Sequence, residues 1–345
     1  MSRKTFESKG EKILLESESL GNCSNVNLSA AMVAESKKFS NRLKRDFKNN
    51  MALYIFSAVA VVSVLIFTYV PMVGVYMAFI NYRPVFGLFG SEFVGFDNII
   101  RFIESPWFSS TIVNTLKISL LSLILGFPTP IFFALLLNQI QRKGFKRFVQ
   151  TATYLPHFIS TVVMCGMIVM FLSPSSGLYG QIARLFGYSS TDLKNIMGSP
   201  EAFPWIYVIT DIWQHTGWDA IIYIAAITSI DPQMYDAAKI DGASRFDIMF
   251  KIDLPSLAPT IMILFILRIG GLLGVGFDKV YLLQNSSNQS ASEVISTYVY
   301  KIGLVGSNPQ YSYASAIGLF NNLINLTLLI TANRISKAVA KTSLF

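Results

Sequence analysis

The chain has 345 residues, of which 52% are hydrophobic and only 14% charged, with a mean hydropathy of +0.48 and a formal net charge of +8. Soluble domains carry about 25% charged residues, so this composition excludes an ordinary soluble domain and points to a membrane protein. The basic excess is not a nucleic-acid signature, because much of it lies beside apolar runs, as the positive-inside pattern requires. Two cysteines, Cys23 and Cys165, are too few and too isolated for a disulfide framework or a metal site.

Residues 1 to about 36 are polar and read as a tail that is weakly ordered or ordered by a partner. Leu20-Gly21-Asn22-Cys23 only superficially looks like a lipoprotein cleavage box, since no apolar run precedes it, and no cleavable signal pattern is expected at the N-terminus. Lys37, Lys38, Arg42, Lys44, Arg45 and Lys48 follow, interleaved with Phe39, Leu43 and Phe47. That spacing fits an apolar stripe on a basic helix at the membrane surface, and it fits a plain topogenic charge cluster equally well. Residues 1–50 are read as a basic cytoplasmic region.

From Met51 to Tyr82 no residue is charged, more than the roughly 20 residues a spanning helix needs. Pro71 and Gly74 mark a break near its outer end. The second span is predicted from about Ile112 to Asn138, kinked by Pro128 and Pro130, and the third from about Phe148 to Leu172. Arg142, Lys143, Lys146 and Arg147 lie between these two spans. The fourth runs from about Trp205 to Ile230, the fifth from about Leu257 to Phe277 and the sixth from about Tyr313 to Asn333. A short basic tail with Arg334, Lys337 and Lys341 follows, its last part at 336–345. The expected fold is therefore an all-α bundle of six transmembrane helices over residues 51–335. Each of the three loops assigned outside (82–111, 174–204 and 278–312) holds only two Lys or Arg, so both termini are expected inside.

Between the fourth and fifth spans lies Asp231 to Pro255, a polar stretch charged in both signs. Asp231-Pro232 is a helix start, with an N-cap acceptor before a proline at the first helical position. Gly242 is a helix stop. Ser244 then caps a second short helix, with Asp247 at capping-box spacing. Helix, sharp turn and helix are predicted, projecting as one piece on the cytoplasmic side.

This stretch resembles the cytoplasmic EAA loop of binding-protein-dependent ABC transporter permeases. Asp236-Ala237-Ala238, Gly242, Ile252 and Leu254-Pro255 keep every spacing of that motif, with Asp236 where the family usually has Glu. Gly217-Trp218 with Tyr223, Gly276-Phe277-Asp278 and Ser312-Tyr313-Ala314 are similar to the carbohydrate branch of type I importers, in particular oligosaccharide systems. The resemblance implies a bacterial plasma-membrane permease subunit with a type I importer fold. It pairs with a second, homologous permease, with two ATP-binding subunits below and an extracellular solute-binding lipoprotein above. ATP and Mg²⁺ would belong to those partners. Asp236, Ala237, Ala238, Asp241, Gly242, Ala243, Phe250, Ile252, Leu254 and Pro255 would carry the coupling to the ATPase.

Charged side chains inside a span are functional candidates because their burial is costly. Asp219 and Arg268 lie about midway along the fourth and fifth spans, and Asp211 nearer the outer end of the fourth. Asp219 and Arg268 are expected to face each other, as a packing pair or as part of a substrate path. His215, Asp219 and Tyr223 share one helix face at i, i+4 spacing, and Trp213, Gln214 and Trp218 lie beside it. Aromatic rings next to hydrogen-bonding groups suit sugars, so Trp213 and Trp218 are expected at the cavity, and Trp205 as an interfacial anchor. Asp278 and the amides of Asn321, Asn322 and Asn325 complete the predicted pathway, although those amides would equally serve helix packing. Gly270, Gly271, Gly274 and Gly276 allow close helix approach or an unwound segment.

His157 and His215 have no second ligand nearby in sequence, so no metal is expected. The chain contains no G-x-x-x-x-G-K-[ST] loop and no G-x-S-x-G or H-E-x-x-H motif, so neither ATP hydrolysis nor another enzymatic activity is expected of it. An importer of a non-sugar solute is the alternative reading. An ion-coupled transporter acting alone, or a membrane scaffold, is a more distant one.

Overall fold

The computed structural model describes residue 47 and residues 49–189 and 192–340. The polar tail, the basic cluster up to Lys48 and the tail from Lys341 lie outside the described residues. The chain divides into two units, Met1–Val73 and Gly74–Phe345.

In the described part of the first unit, α1 (Met51–Val64) has no buried residue and runs into a π-helical turn at Leu65–Tyr69. A π turn widens the helix by one residue, and this one comes just before Pro71, whose ring cannot sit in a regular α-helical ladder. Beyond it, Val73–Phe79 winds as a 3-10 helix. The break expected at Pro71 and Gly74 is thus a change of winding rather than a loss of helix.

In the second unit, Ile80–Asn81 (β1) pairs antiparallel with Glu92–Phe93 (β2). Helix α2 (Pro106–Leu121) starts on the Ser105 side chain, which accepts from the Trp107 amide, and passes through a π turn at Ser122–Gly126 into α3 (Pro128–Asn138). At the position of the predicted kink the helix takes up this π turn, just before Pro128. Lys143–Tyr154 (α4) and Thr161–Phe171 (α5) follow. The predicted third span is not one straight helix, because Lys143–Phe158 and Thr161–Phe171, which meet at the Ser160 cap, are bent by 98°.

Helix α6 (Phe203–Thr228) is the mast of the unit. Its first half packs Phe203, Ile206, Tyr207 and Val208 against Met164, Cys165 and Ile168 of α5. Its second half packs Ala220, Tyr223 and Ile227 against Ile131, Ala134 and Leu135 of α3. Gly217 sits where a Cβ would lie 2.3 Å from the Thr153 carbonyl oxygen. Only glycine lets these backbones meet so closely.

Helices α7 (Pro232–Ile240) and α8 (Arg245–Ile248) follow, and a π turn at Met249–Asp253 joins α8 to α9 (Leu254–Gly270). The short second helix predicted after Gly242 is therefore not a separate element: it is the first turn of the fifth long helix, which runs unbroken from Arg245 to Gly270. Pro255 lies at the start of α9 and does not end the helix. This helix also stops earlier than predicted, at Gly270, and the chain is irregular as far as Gly276. Phe277–Leu283 (α10) and Ile295–Tyr300 (α11) lie in the region read as a loop, and Tyr311–Ala340 (α12) is the last helix.

Among the described residues, four helices are long and apolar enough to cross a membrane: Met51–Phe79, Pro106–Asn138, Arg245–Gly270 and Tyr311–Ala338. The bent pair makes a fifth if it counts as one span. Helix α6 has 26 residues but is not among them. It carries Asp211, Asp219, Gln214 and His215 along its length.

Candidate functional site

The Asp231–Pro255 stretch owes its shape to local chemistry. The Asp231 carboxylate accepts from the Gln233 amide and opens α7. At the other end the Gly242 amide donates to the Lys239 carbonyl and the Ala243 amide to the Ala238 carbonyl, with Gly242 at φ +75°. These are the two bonds of a Schellman turn, which requires a left-handed residue where Gly242 stands. Ser244 and Asp247 close a reciprocal capping box. The Asp247 carboxylate also accepts from the Ser244 backbone amide at 3.1 Å and pairs with Lys251 Nζ at 2.6 Å.

Asp236 pairs with Lys239 at 3.1 Å on the exposed face, an ion pair of little energetic weight. Ala237, Asp241, Phe250 and Pro255 are exposed, while Ala238, Ala243, Ile252 and Leu254 are half-buried. Met234, Ile240 and Phe246 also stand exposed around the turn. Sequence reasoning missed these three, although large apolar side chains in a polar loop are themselves the signal of a docking face.

On α6 the i, i+4 series Asp211, His215, Asp219 and Tyr223 lines a cavity of about 320 Å³, closed by Gly126, Phe127, Leu264, Leu267 and Arg268. A second cavity of about 440 Å³ adjoins it, sharing Asp211, His215, Asp219, Leu267 and Arg268 and reaching Ser122 and Gly276. Asp219 and Arg268 therefore do meet in one polar cavity, but not as an ion pair. Arg268 Nη2 donates to Ser122 Oγ at 3.1 Å. Asp211 takes the cation, with Lys279 Nζ at 3.3 Å and His215 Nδ1 at 3.4 Å. Lys279 is 7% exposed and lies over the Tyr207 ring. It was read as an external-loop residue, and its basic charge inside an apolar frame is the signal that was available.

Trp213 and Trp218 do not line either polar cavity and are exposed on other faces of α6. The Trp218 ring stacks on His157, with centroids 4.4 Å apart. The helical period shows which residues share a face, but not which face turns inward. Asn321 and Asn322 line a different groove, with Met77, Phe277 and Tyr300. Asn325 Oδ1 accepts from the Leu273 amide at 3.0 Å and so pins the irregular segment after Gly270. Asp278 is exposed and outside both polar cavities. Among the described residues no three His, Cys, Asp or Glu side chains converge as a metal site.

Fold and site together define a multi-span helical membrane subunit, with polar cavities between its helices and a capped polar loop between α6 and α9. The chain belongs to the family of inner membrane components of binding-protein-dependent transport systems, whose model matches residues 126–341. It is thus a multi-pass membrane permease subunit with a type I importer fold, not a catalytic enzyme. It is 40% identical over 293 residues to the polygalacturonan/rhamnogalacturonan transport system permease protein YteP of Bacillus subtilis (strain 168), across 85% of this chain and 90% of that one. It is 38% identical to Protein LplB of the same organism, across 88% of this chain and 92% of that one. A chain in the crystal structure of a bacterial ABC transporter that imports the acidic polysaccharide alginate superposes with a TM-score of 0.78 at 40% identity, covering 86% of this chain and 99% of that one.

Proposed function

We propose that this chain is one of two paired permease subunits of an ATP-driven importer that carries an acidic oligosaccharide from an extracellular binding lipoprotein into the bacterial cytoplasm. In this reading the chain crosses the plasma membrane six times with both termini inside, and α6 is the fourth span, its polarity turned to the path rather than to lipid. Two partner subunits bind ATP and Mg²⁺ and dock on the Asp231–Pro255 loop. Closure of the ATPase pair moves that loop, and the cavity between α6 and α9 changes access. Such coupling requires contacts that differ between the two states.

The observation that carries the substrate class is Arg268. Its guanidinium faces the shared cavity with a neutral hydroxyl as its hydrogen-bond partner, leaving donors in a geometry that matches a carboxylate. Polygalacturonan, in the printed name of one relative, and alginate, in the solved transporter, are uronate polymers. The solved alginate transporter has also been seen with a periplasmic protein holding an alginate pentasaccharide, which supports the binding-protein partner.

The test is uptake into proteoliposomes that contain the complete complex, with oligogalacturonate as the probe. An Arg268→Gln variant should lose at least about tenfold in uptake, since a hydrogen bond to a charged group contributes about 1.5–3 kcal/mol. Uptake unchanged by that substitution would remove Arg268 from the path. Recovery of the chain without a second permease or an ATPase, in a detergent that preserves such complexes, would refute the importer assembly.

A further inference from the structure

Three chain segments meet on the coupling-loop side at one buried side chain. Asp253 is fully buried in the π turn that leads into α9. Its Oδ1 accepts from the Tyr235 hydroxyl at 2.6 Å, and Tyr235 lies on α7, the helix that opens the loop. Its Oδ2 accepts from Asn138 Nδ2 and Gln139 Nε2, each at 3.2 Å, and these two residues end α3. All three hydrogen-bond partners are neutral donors. Burial and the Asp253 carboxylate together push the Tyr235 hydroxyl well above its ordinary range, so it stays protonated and donates.

Apart from Tyr235 and the half-buried Ala238, whose side chain is a single methyl, the residues of α7 are exposed. Tyr235 is the residue of that helix whose side chain reaches into the body of the unit through this carboxylate. A lever transmits motion only if its root is fixed to what it moves, and a fully satisfied buried polar network fixes position in a way that apolar contact does not.

We infer that Asp253 is the positioning residue that ties the coupling helix to the ends of α3 and α9, so that displacement of α7 is passed to the helices lining the cavity. This rests on the importer reading above, in which α7 is the element the ATPase moves. Asp253 lines neither polar cavity, and it acts by holding Tyr235, Asn138 and Gln139 in one arrangement. Neither its charge nor its burial follows from the loop motif, which leaves this position unspecified.

The test uses the whole complex, with its binding protein, in proteoliposomes. A cysteine reporter replaces Ile222 in the cavity wall, with Cys23 and Cys165 removed. Maleimide labelling is measured with and without ATP, Mg²⁺ and vanadate, beside the rate of ATP hydrolysis. The parent complex should change its labelling rate when nucleotide is trapped. Asp253→Ala should retain hydrolysis and lose that change by about tenfold, within the usual span of coupling between sites. Asp253→Asn should restore it, because its oxygen still accepts from Tyr235 while the Asn138 and Gln139 amides can turn their oxygens to its NH₂ group. Rescue by asparagine separates hydrogen-bonded positioning from a need for charge.

A full labelling response in Asp253→Ala would overturn the inference. If that variant fails to assemble, Tyr235→Phe decides, since it removes one exchangeable hydroxyl and keeps the ring: a weakened response with normal hydrolysis supports the tie, and an unchanged response refutes it. A parent complex that neither hydrolyses ATP nor responds to it would defeat the importer reading first, and the tie with it.

Discussion

Replacing Gly242 by valine probes the coupling loop through a single backbone angle. Gly242 sits at φ +75°, and no atom lies within 4 Å of where its Cβ would be. A side chain there meets no steric obstacle within this chain, so the whole cost comes from the left-handed backbone. That cost is roughly 1–2 kcal/mol for an ordinary L residue, and β-branching adds to it. One or two kcal/mol shifts a two-state ratio by about 5–30-fold, so the Schellman turn that orients α7 against α8 would lose its dominance by about that factor. Asparagine tolerates the left-handed region, which gives an internal control of larger size than alanine. The expected order of function is therefore Gly242, then Asn, then Ala, then Val. The assay is capture of the ATPase by tagged complex, together with sugar imported per ATP hydrolysed. Valine should lower import per ATP about fivefold or more while asparagine stays near the parent. Full import by the valine variant would refute the reasoning. Equal damage from asparagine and valine would refute it differently, showing that the space above the turn matters rather than the angle.

Gly217→Val should destabilise the solubilised complex, because even the Cβ would lie 2.3 Å from the Thr153 carbonyl oxygen. Overpacking of this kind costs about 1–3 kcal/mol, read as a lowered midpoint of thermal aggregation, and an unchanged midpoint would mean α4 can move freely away from α6. Lys279→Met should also be damaging, since it strips the buried Lys279–Asp211 pair of its cation, and breaking such a pair costs about 3–5 kcal/mol. The matched variant Lys279→Met with Asp211→Asn should recover much of the lost yield of folded complex, and a double variant worse than the single would show that the lysine acts through its place over Tyr207 instead.

Where structure follows from neighbours in sequence, the sequence could be read. The Asp231 cap, the Gly242 turn and the Ser244–Asp247 box each depend on residues at most six apart, and each was predictable from side-chain chemistry alone. The clustering of His215, Asp219 and Tyr223 followed from the helical period for the same reason. The failures share one cause: they concern which face or which distant segment answers a given side chain. Arg268 was matched to Asp219 by depth, yet its hydrogen bond goes to Ser122, 146 positions away. Lys279 falls in the stretch read as the third external loop, yet its carboxylate partner lies 68 positions back on α6. Trp213 and Trp218 lie on the same helix as the cavity residues but on faces turned away from it.

Asp253 joins the two cases and explains why a motif can be legible while its mechanism is not. The spacing from Asp236 to Pro255 specifies a turn and a surface, and both are local properties that a fixed pattern can encode. What converts a surface into a lever is its attachment, and attachment is non-local: here it runs from Tyr235, through a buried carboxylate 18 residues on, to side chains 115 and 114 positions back at the end of α3. An acid one residue before a Leu-Pro step gives no periodic signal. Its meaning appears only when the helices are assembled and its two oxygens are found to be shared among three segments. A substitution at an exposed position of α7 should therefore change what docks on the loop, while one at Asp253 should leave docking intact and change what the docking moves.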